Sequence, residues 1–183
     1  MRPYEKLHAR WREHGYSGGQ IYKDVHVPLE ECGFPFPGEA QLEEIEQRCG
    51  FEIPADFREH LLHVPLTGEG IDGGGELVLF WSADRITSIA DSYKKSRRLV
   101  DGWDHPGRPE THLIFCDFMV SCWEWAVECA QGPNYGKIAL VSSDSDEWFV
   151  YQSFAEMVDD YVAKDDLDFA IQWNRPIADR DRS

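Results

Sequence analysis

The sequence predicts an α+β fold, a mostly antiparallel sheet of five or six strands packed against several helices. Three observations predict it. Between Gln41 and Val64 apolar residues recur at helical spacing in two pieces, joined by a corner at Gly50 and Pro54. From Glu76 to Tyr151 short apolar or alternating runs follow one another, mostly across short turns, which suits antiparallel neighbours. From Ser153 to Val162 the helical stripe returns, so helices bracket the strands and can cover the sheet.

Taken in order, Met1 to Gly15 is a short helix with Leu7 and Trp11 as its apolar positions and Gly15 as its stop. Tyr16 to Gly38 is loop-like, punctuated by Gly18, Gly19, Pro28, Pro35 and Pro37, with room for short strands at Ile21–Tyr22 and Val25–Val27. In the helix pair, Leu42, Ile45 and Cys49 share one face. Gly50 follows them, where a left-handed cap is usual. Pro54 suits a first helical turn because its missing N–H has no partner there. Phe57, Leu61, Leu62 and Val64 form the second stripe, which Pro65, Thr67 and Gly68 end.

Five glycines lie between Thr67 and Glu76. A phosphate-binding loop would need a following Gly-Lys-Ser/Thr and a helix. Here a strand follows, Glu76 to Trp81, so the stretch reads as a turn. Ser82 or Asp84 can cap a next helix with Ile86, Ile89, Ala90 and Tyr93 inward. Lys94, Lys95, Arg97 and Arg98 at its far end complement the helix dipole. Asp101 to Thr111 is a loop. His112–Asp117 and Cys122–Glu128 form a hairpin in which Trp123, Trp125 and Val127 face one way, Glu124 and Glu128 the other. Ile138–Val141 and Glu147–Tyr151 are further strands. Ser153 and Glu156 make a capping box for a helix with Phe154, Met157, Val158, Tyr161 and Val162 inward. Lys164 to Trp173 is a further short helix, and Asn174 to Ser183 a polar tail.

With 183 residues, 42% of them hydrophobic and 13% aromatic, the chain can bury a sizeable core and is globular rather than disordered. No apolar run approaches the roughly 18–20 residues that span a bilayer. Met1 to His14 lacks the apolar centre of a signal peptide, so a cytoplasmic location is expected. The five cysteines form no CxxC and no repeated pattern, which implies reduced thiols. The formal net charge of −16 repels nucleic acid and anionic membranes. Charge is also uneven: Asp117 to Asp168 holds twelve acidic residues against Lys137 and Lys164, a net −10. Such a field steers a basic partner.

The run from Leu42 to Leu61 (Glu-rich helix, Gly50, Ile53-Pro54, then a helix bearing Phe57) resembles the opening motif of the SUKH superfamily, the Smi/Knr-type domain. The hairpin around His112–Asp117 and Cys122–Glu128 and the strand-to-helix run Val150–Tyr161 are similar to its later motifs. The resemblance spans roughly Pro37 to Val162. One departure is that superfamily members commonly carry a glycine where Cys116 stands. Three parts are expected: an N-terminal extension packed on the domain (1–36), a SUKH-like domain (37–173) and the tail (174–183).

No catalytic set assembles from the residues. His60 and His63 lie three apart on a helix, but without a third ligand they make no metal site. Asp159-Asp160 and Asp165-Asp166-Asp168 lack the calcium-loop spacing. No GxSxG occurs. The expectation is therefore no catalytic residue, no metal and no cofactor. What the resemblance implies is a non-catalytic protein-binding domain. Many bacterial members look like immunity proteins that neutralise a cognate toxin, and others are regulatory interaction modules. The acidic residues Asp144, Asp146, Glu147, Asp159 and Asp160 are expected to face a basic toxin such as a nuclease, with Trp148 and Tyr151 as candidate anchors. Two other readings stay open: a regulatory scaffold, and a small hydrolase or metalloprotein using Cys116 with a histidine.

Overall fold

The computed structural model describes residues 1–18, 21–73, 77–94, 103, 105–119, 122–141 and 148–172, without the side chains of 21–25, 166, 167 and 171. Its described residues form six α-helices and a nine-stranded antiparallel sheet. The class is the expected one, and the sheet is wider than five or six strands.

Helix α1 (Pro3–His14) opens with proline in its first turn, while the Glu5 carboxylate accepts the Arg2 N–H at 2.8 Å. Its stripe of Tyr4, Leu7 and Trp11 is buried. Strands β1 (Tyr16–Gly18) and β2 (Ile21–Val25) form a hairpin. Helix α2 (Glu39–Cys49) starts where the Gln41 side chain accepts the Gly38 N–H at 2.6 Å. It ends at Gly50, left-handed at φ +79°, whose N–H returns to the Glu46 carbonyl at 2.7 Å. The Glu46 carboxylate then accepts the Ile53 N–H at 3.0 Å and pairs with Arg58, locking the corner before α3 (Ala55–Leu62).

Strands β3 (Gly70–Asp72), β4 (Val78–Trp81), β6 (His112–Phe118), β7 (Trp123–Glu128), β8 (Ile138–Val141) and β9 (Phe149–Tyr151) form a meander, and β1 adds to the free side of β3. Strand β5 (Thr87–Ser88) leaves this path and pairs with β6. Two short segments differ from the sequence reading. Gly70–Asp72, expected as turn, is strand, because β4 offers it a partner in register from Gly70↔Trp81 to Asp72↔Leu79. The helix expected from Ser82 or Asp84 is shorter and later: α4 (Ile89–Ser92) starts at Ser88, whose Oγ accepts the Asp91 N–H. Asp84 is occupied instead, accepting the Gly68 N–H at 2.9 Å. The basic run beyond Lys94 lies outside the described residues.

Helix α5 (Phe154–Ala163) begins at the predicted capping box. Ser153 Oγ accepts the Glu156 N–H, and the Glu156 carboxylate accepts the Gln152 N–H at 2.6 Å. Helix α6 (Asp166–Ile171) is capped by Asp165. Helices α1, α3, α5 and α6 cover one face of the sheet. Trp11, Phe57, Phe80, Phe115, Trp125, Phe154, Tyr161 and Phe169 interlock there edge-on and stacked. On the other face, Arg85, Tyr93, Trp103 and Gly107 lie against acidic residues and His112 of β6 and β7. Among the described residues no helix is long and apolar enough to cross a membrane.

Candidate functional site

Of the residues expected to face a partner, Asp144, Asp146 and Glu147 lie outside the described residues. Asp159 and Asp160 sit on the outer side of α5. Asp159 is exposed and ion-paired to Lys6 of α1. Arg2, at the N-cap of α1, likewise pairs with Glu59 of α3 at 2.8 Å, so basic groups on and before α1 meet acidic groups on both neighbouring helices. Asp160 is built in more firmly. Its Oδ2 accepts from Tyr151 Oη and Gln172 Nε2, each at 2.6 Å, and its Oδ1 pairs with Lys164 at 2.5 Å. Burial alone would raise this carboxyl, but those three donors outweigh it and hold the pKa below the usual range. Tyr151, considered as an anchor, spends its hydroxyl here. Trp148, the other, is buried.

The sheet's second face carries acids that spacing alone did not flag as interior. Asp117, Glu124 and Glu128 are all buried, as is His112. Asp117 and Glu124 stand opposite one another on β6 and β7. Asp117 Oδ2 accepts from Trp81 Nε1 and pairs with Arg85 at 3.3 Å, whose guanidinium stacks 3.9 Å over the Trp81 ring. Glu124 accepts the Tyr93 hydroxyl at 2.7 Å; burial and then this carboxylate push the Tyr93 pKa up. Glu128 Oε1 takes the Ala130 N–H at 2.8 Å, and its Oε2 lies 3.3 Å from His112 Nε2.

His112 is the centre of that layer. Its Nδ1 faces the Arg108 carbonyl at 2.9 Å, which can only accept, so Nδ1 carries the proton. Nε2 faces the Trp148 indole N–H and the Glu128 carboxylate, each at 3.3 Å. Burial, the largest cause, moves the pKa down against the pull of Glu128 and favours the neutral ring. Gly107, at φ +83°, closes over the pair: a Cβ there would lie 2.2 Å from Glu128 Oε2 and 2.7 Å from His112 Cε1. Trp103 and His105 complete the lid, His105 stacking on Trp148 at 4.0 Å. These contacts fasten Trp103 and residues 105–111 to the sheet. The signal in the sequence is the strict alternation of Glu124, Ala126 and Glu128, but it names the face without saying what covers it.

The groups considered for catalysis are placed as follows. Cys116 is fully buried on the helix-facing side, opposite Trp125. Cys129 is buried, which pushes its thiol well up, and burial also raises Cys49. His60 lies among Phe57, Phe80 and Phe154, and burial pushes its pKa down to about 3. His63 stacks on Tyr4 at 3.8 Å, away from it. Among the described residues no three His, Cys, Asp or Glu side chains gather as a metal site.

Two open grooves adjoin the helix corner that carries the opening motif. One, of about 410 Å³, lies between α2 and Leu66, Ala83 and Asp84. The other, of about 590 Å³, lies between Cys49–Glu52, Arg108–Thr111 and Ala130–Gln131.

Fold and motif define an α+β domain of the SUKH type. Residues 37–160 match the SMI1 / KNR4 family (SUKH-1), and the chain belongs to that family. No curated protein matches the chain, and neither does any solved structure.

Proposed function

We propose that this chain is a non-catalytic binding protein that acts as an immunity protein, neutralising a cognate toxin by occupying it. The observation that carries this reading is the family match over residues 37–160, since immunity is the role the SUKH resemblance implies for many members. Charge supports it: a net −16 favours a basic partner, such as a nuclease domain. We assign the partner-facing acids to Asp144, Asp146 and Glu147, with Asp159 at the margin. Asp160 is assigned with them, and its carboxylate is engaged with Tyr151, Lys164 and Gln172. A few desolvated anchors would hold the complex while exposed charges set the association rate.

The test is co-purification of the tagged protein from its native cell, followed by calorimetry with the recovered partner. A single basic toxin domain bound one to one supports the reading. Recovery of several unrelated cellular proteins points instead to a regulatory module. With the toxin in hand, replacing Asp144, Asp146 and Glu147 together by Ser should weaken binding at low salt and leave the melting transition unchanged. Unaltered affinity removes that surface.

A further inference from the structure

The groove between α2 and the Ser82–Arg85 turn has a chemistry of its own. Ile45, Leu66 and Ala83 supply apolar lining, and Ile45 and Ala83 are nearly fully buried by the fold itself. Two carboxylates line it from opposite walls. Asp84 is held in place, its Oδ2 accepting the Gly68 N–H at 2.9 Å and its Oδ1 accepting from Ser82 Oγ. Glu44 projects from the exposed side of α2. Arg48 also lines the groove, and its guanidinium donates to the Ile86 carbonyl at 3.3 Å. Glu44 and Arg48 stand one turn apart, yet they form no ion pair among the described residues. Glu44 therefore keeps its charge available to an incoming group.

With Arg48 turned onto the Ile86 carbonyl, the groove keeps an apolar lining, a fixed carboxylate on one wall and an available one on the other, a net negative charge that suits an occupant with an aliphatic stem and a cationic head. That is the form of arginine and lysine, which lay their methylenes along apolar surface and keep the charge at a polar edge. Arginine suits it better, because its planar fork can reach two acceptors at once. We propose that this groove seats an arginine side chain projecting from the protein partner, so that α2 and the Ser82–Arg85 turn are part of the docking surface. The proposal rests on the protein-binding reading and adds to it a second, separate place of contact. The groove's 410 Å³ is toward the lower end of the roughly 300–1,000 Å³ that holds small ligands, enough for one long side chain rather than a large cofactor.

The test needs no toxin. Isotope-labelled full-length protein is titrated with N-acetyl-arginine amide while backbone amide resonances are followed, with N-acetyl-citrulline amide, the same shape without charge, as control. The amides of Glu44 to Arg48 and of Ala83 to Arg85 should shift and saturate with a dissociation constant of roughly 1 mM, as befits a fragment of this size. Glu44→Lys should abolish the shifts, and Glu44→Gln should weaken binding about tenfold. Glu44 is exposed, so neither variant threatens the fold. No shift at these amides, or equal shifts with citrulline, overturns the proposal. Failure of the immunity reading looks different: arginine still saturates the groove while no toxin is found. If a toxin is found and Glu44→Lys binds it as wild type does, the groove is not the contact and the immunity reading stands.

Discussion

Residues 1–36 lie outside the family match, yet α1 supplies Leu7 and Trp11, both with no exposed surface. Trp11→Ala tests whether this segment belongs to the same cooperative unit as the rest. Trp11 packs edge-on to Phe80 of β4 at 5.7 Å, and its ring lies so close to Gly73 that a Cβ there would sit 2.1 Å from Trp11 Cδ1. Removing a buried tryptophan costs about 3–5 kcal/mol. Part of that is offset here. Among the described residues the indole N–H has no partner, a penalty of about 1 kcal/mol, the low end for a buried donor, that the wild type already carries and the alanine variant sheds. The net loss is about 2–4 kcal/mol. With a urea slope of about 2–3 kcal/mol per molar for a chain of this size, the midpoint should fall by roughly 1 M or more in one transition. Trp11→Phe keeps the ring and drops the N–H, so it should stay within about 1.5 kcal/mol of wild type. A midpoint shift under about 0.2 M for the alanine variant, or an early transition followed by one at the wild-type midpoint, would refute the reasoning.

The remaining predictions concern the glycine against that tryptophan, a buried histidine and the two aspartates of α5. Gly73→Ala drives a methyl into Trp11 and toward Tyr161 Oη, 2.8 Å from the added carbon, and should cost about 1–3 kcal/mol, read from the same urea curves. His60 is held neutral, with its pKa depressed to about 3 by burial. The unfolded chain therefore binds a proton that the folded chain refuses. Stability is complete above about pH 6.5 and falls as pH drops toward 3, by at most about 1.4 kcal/mol per unit from this group. His60→Phe, placed among Phe57, Phe80 and Phe154, should flatten that slope, so its gain over wild type grows from pH 7.5 to pH 5; a constant difference argues against the linkage. Asp160→Asn should lower stability by about 1–2 kcal/mol through loss of the Lys164 pair and imperfect acceptance from Tyr151 and Gln172, whereas Asp159→Asn, on an exposed pair, should change it by under about 1 kcal/mol. Chemical denaturation of both variants decides whether the neighbours differ in this way.

What was legible in the sequence is what depends on local chemistry. Helix α2 has its stripe, its left-handed Gly50 and its acidic outer side within eleven residues, and α5 has its capping box and stripe within ten. The β6–β7 hairpin reads from alternation. What was not legible depends on distant partners. Gly70-Ile71-Asp72 holds one strand-favouring residue and is strand because β1 and β4 flank it. Thr87-Ser88 is strand because β6 passes beside it, and the resulting β5 displaces the start of α4 to Ser88. For the candidate surface, the identity of the acids was plain but their engagement was not. Asp160 meets Gln172 twelve residues on, and Glu124 meets Tyr93 thirty-one residues back. Only the packing of α6 on the sheet and of Tyr93 over its second face brings those donors near.

This engagement changes what the charge means. The acidic stretch Asp117 to Asp168 contributes −10 by composition, yet three of its carboxylates are buried on the second face of the sheet and a fourth is clamped by Lys164, Tyr151 and Gln172. Asp165 caps a helix and Glu156 closes a capping box. At physiological ionic strength a charge is felt over about 8 Å, so a partner close to the surface responds to the carboxylates presented locally rather than to the total. On α2 the presentation is different. Glu43 and Glu44 are exposed and make no hydrogen bond or ion pair among the described residues, and Glu44 stands beside a groove that already has an apolar lining. Six acids of that stretch are spent within the fold, while α2 keeps its own outside, with Glu44 beside the groove proposed to seat a basic side chain.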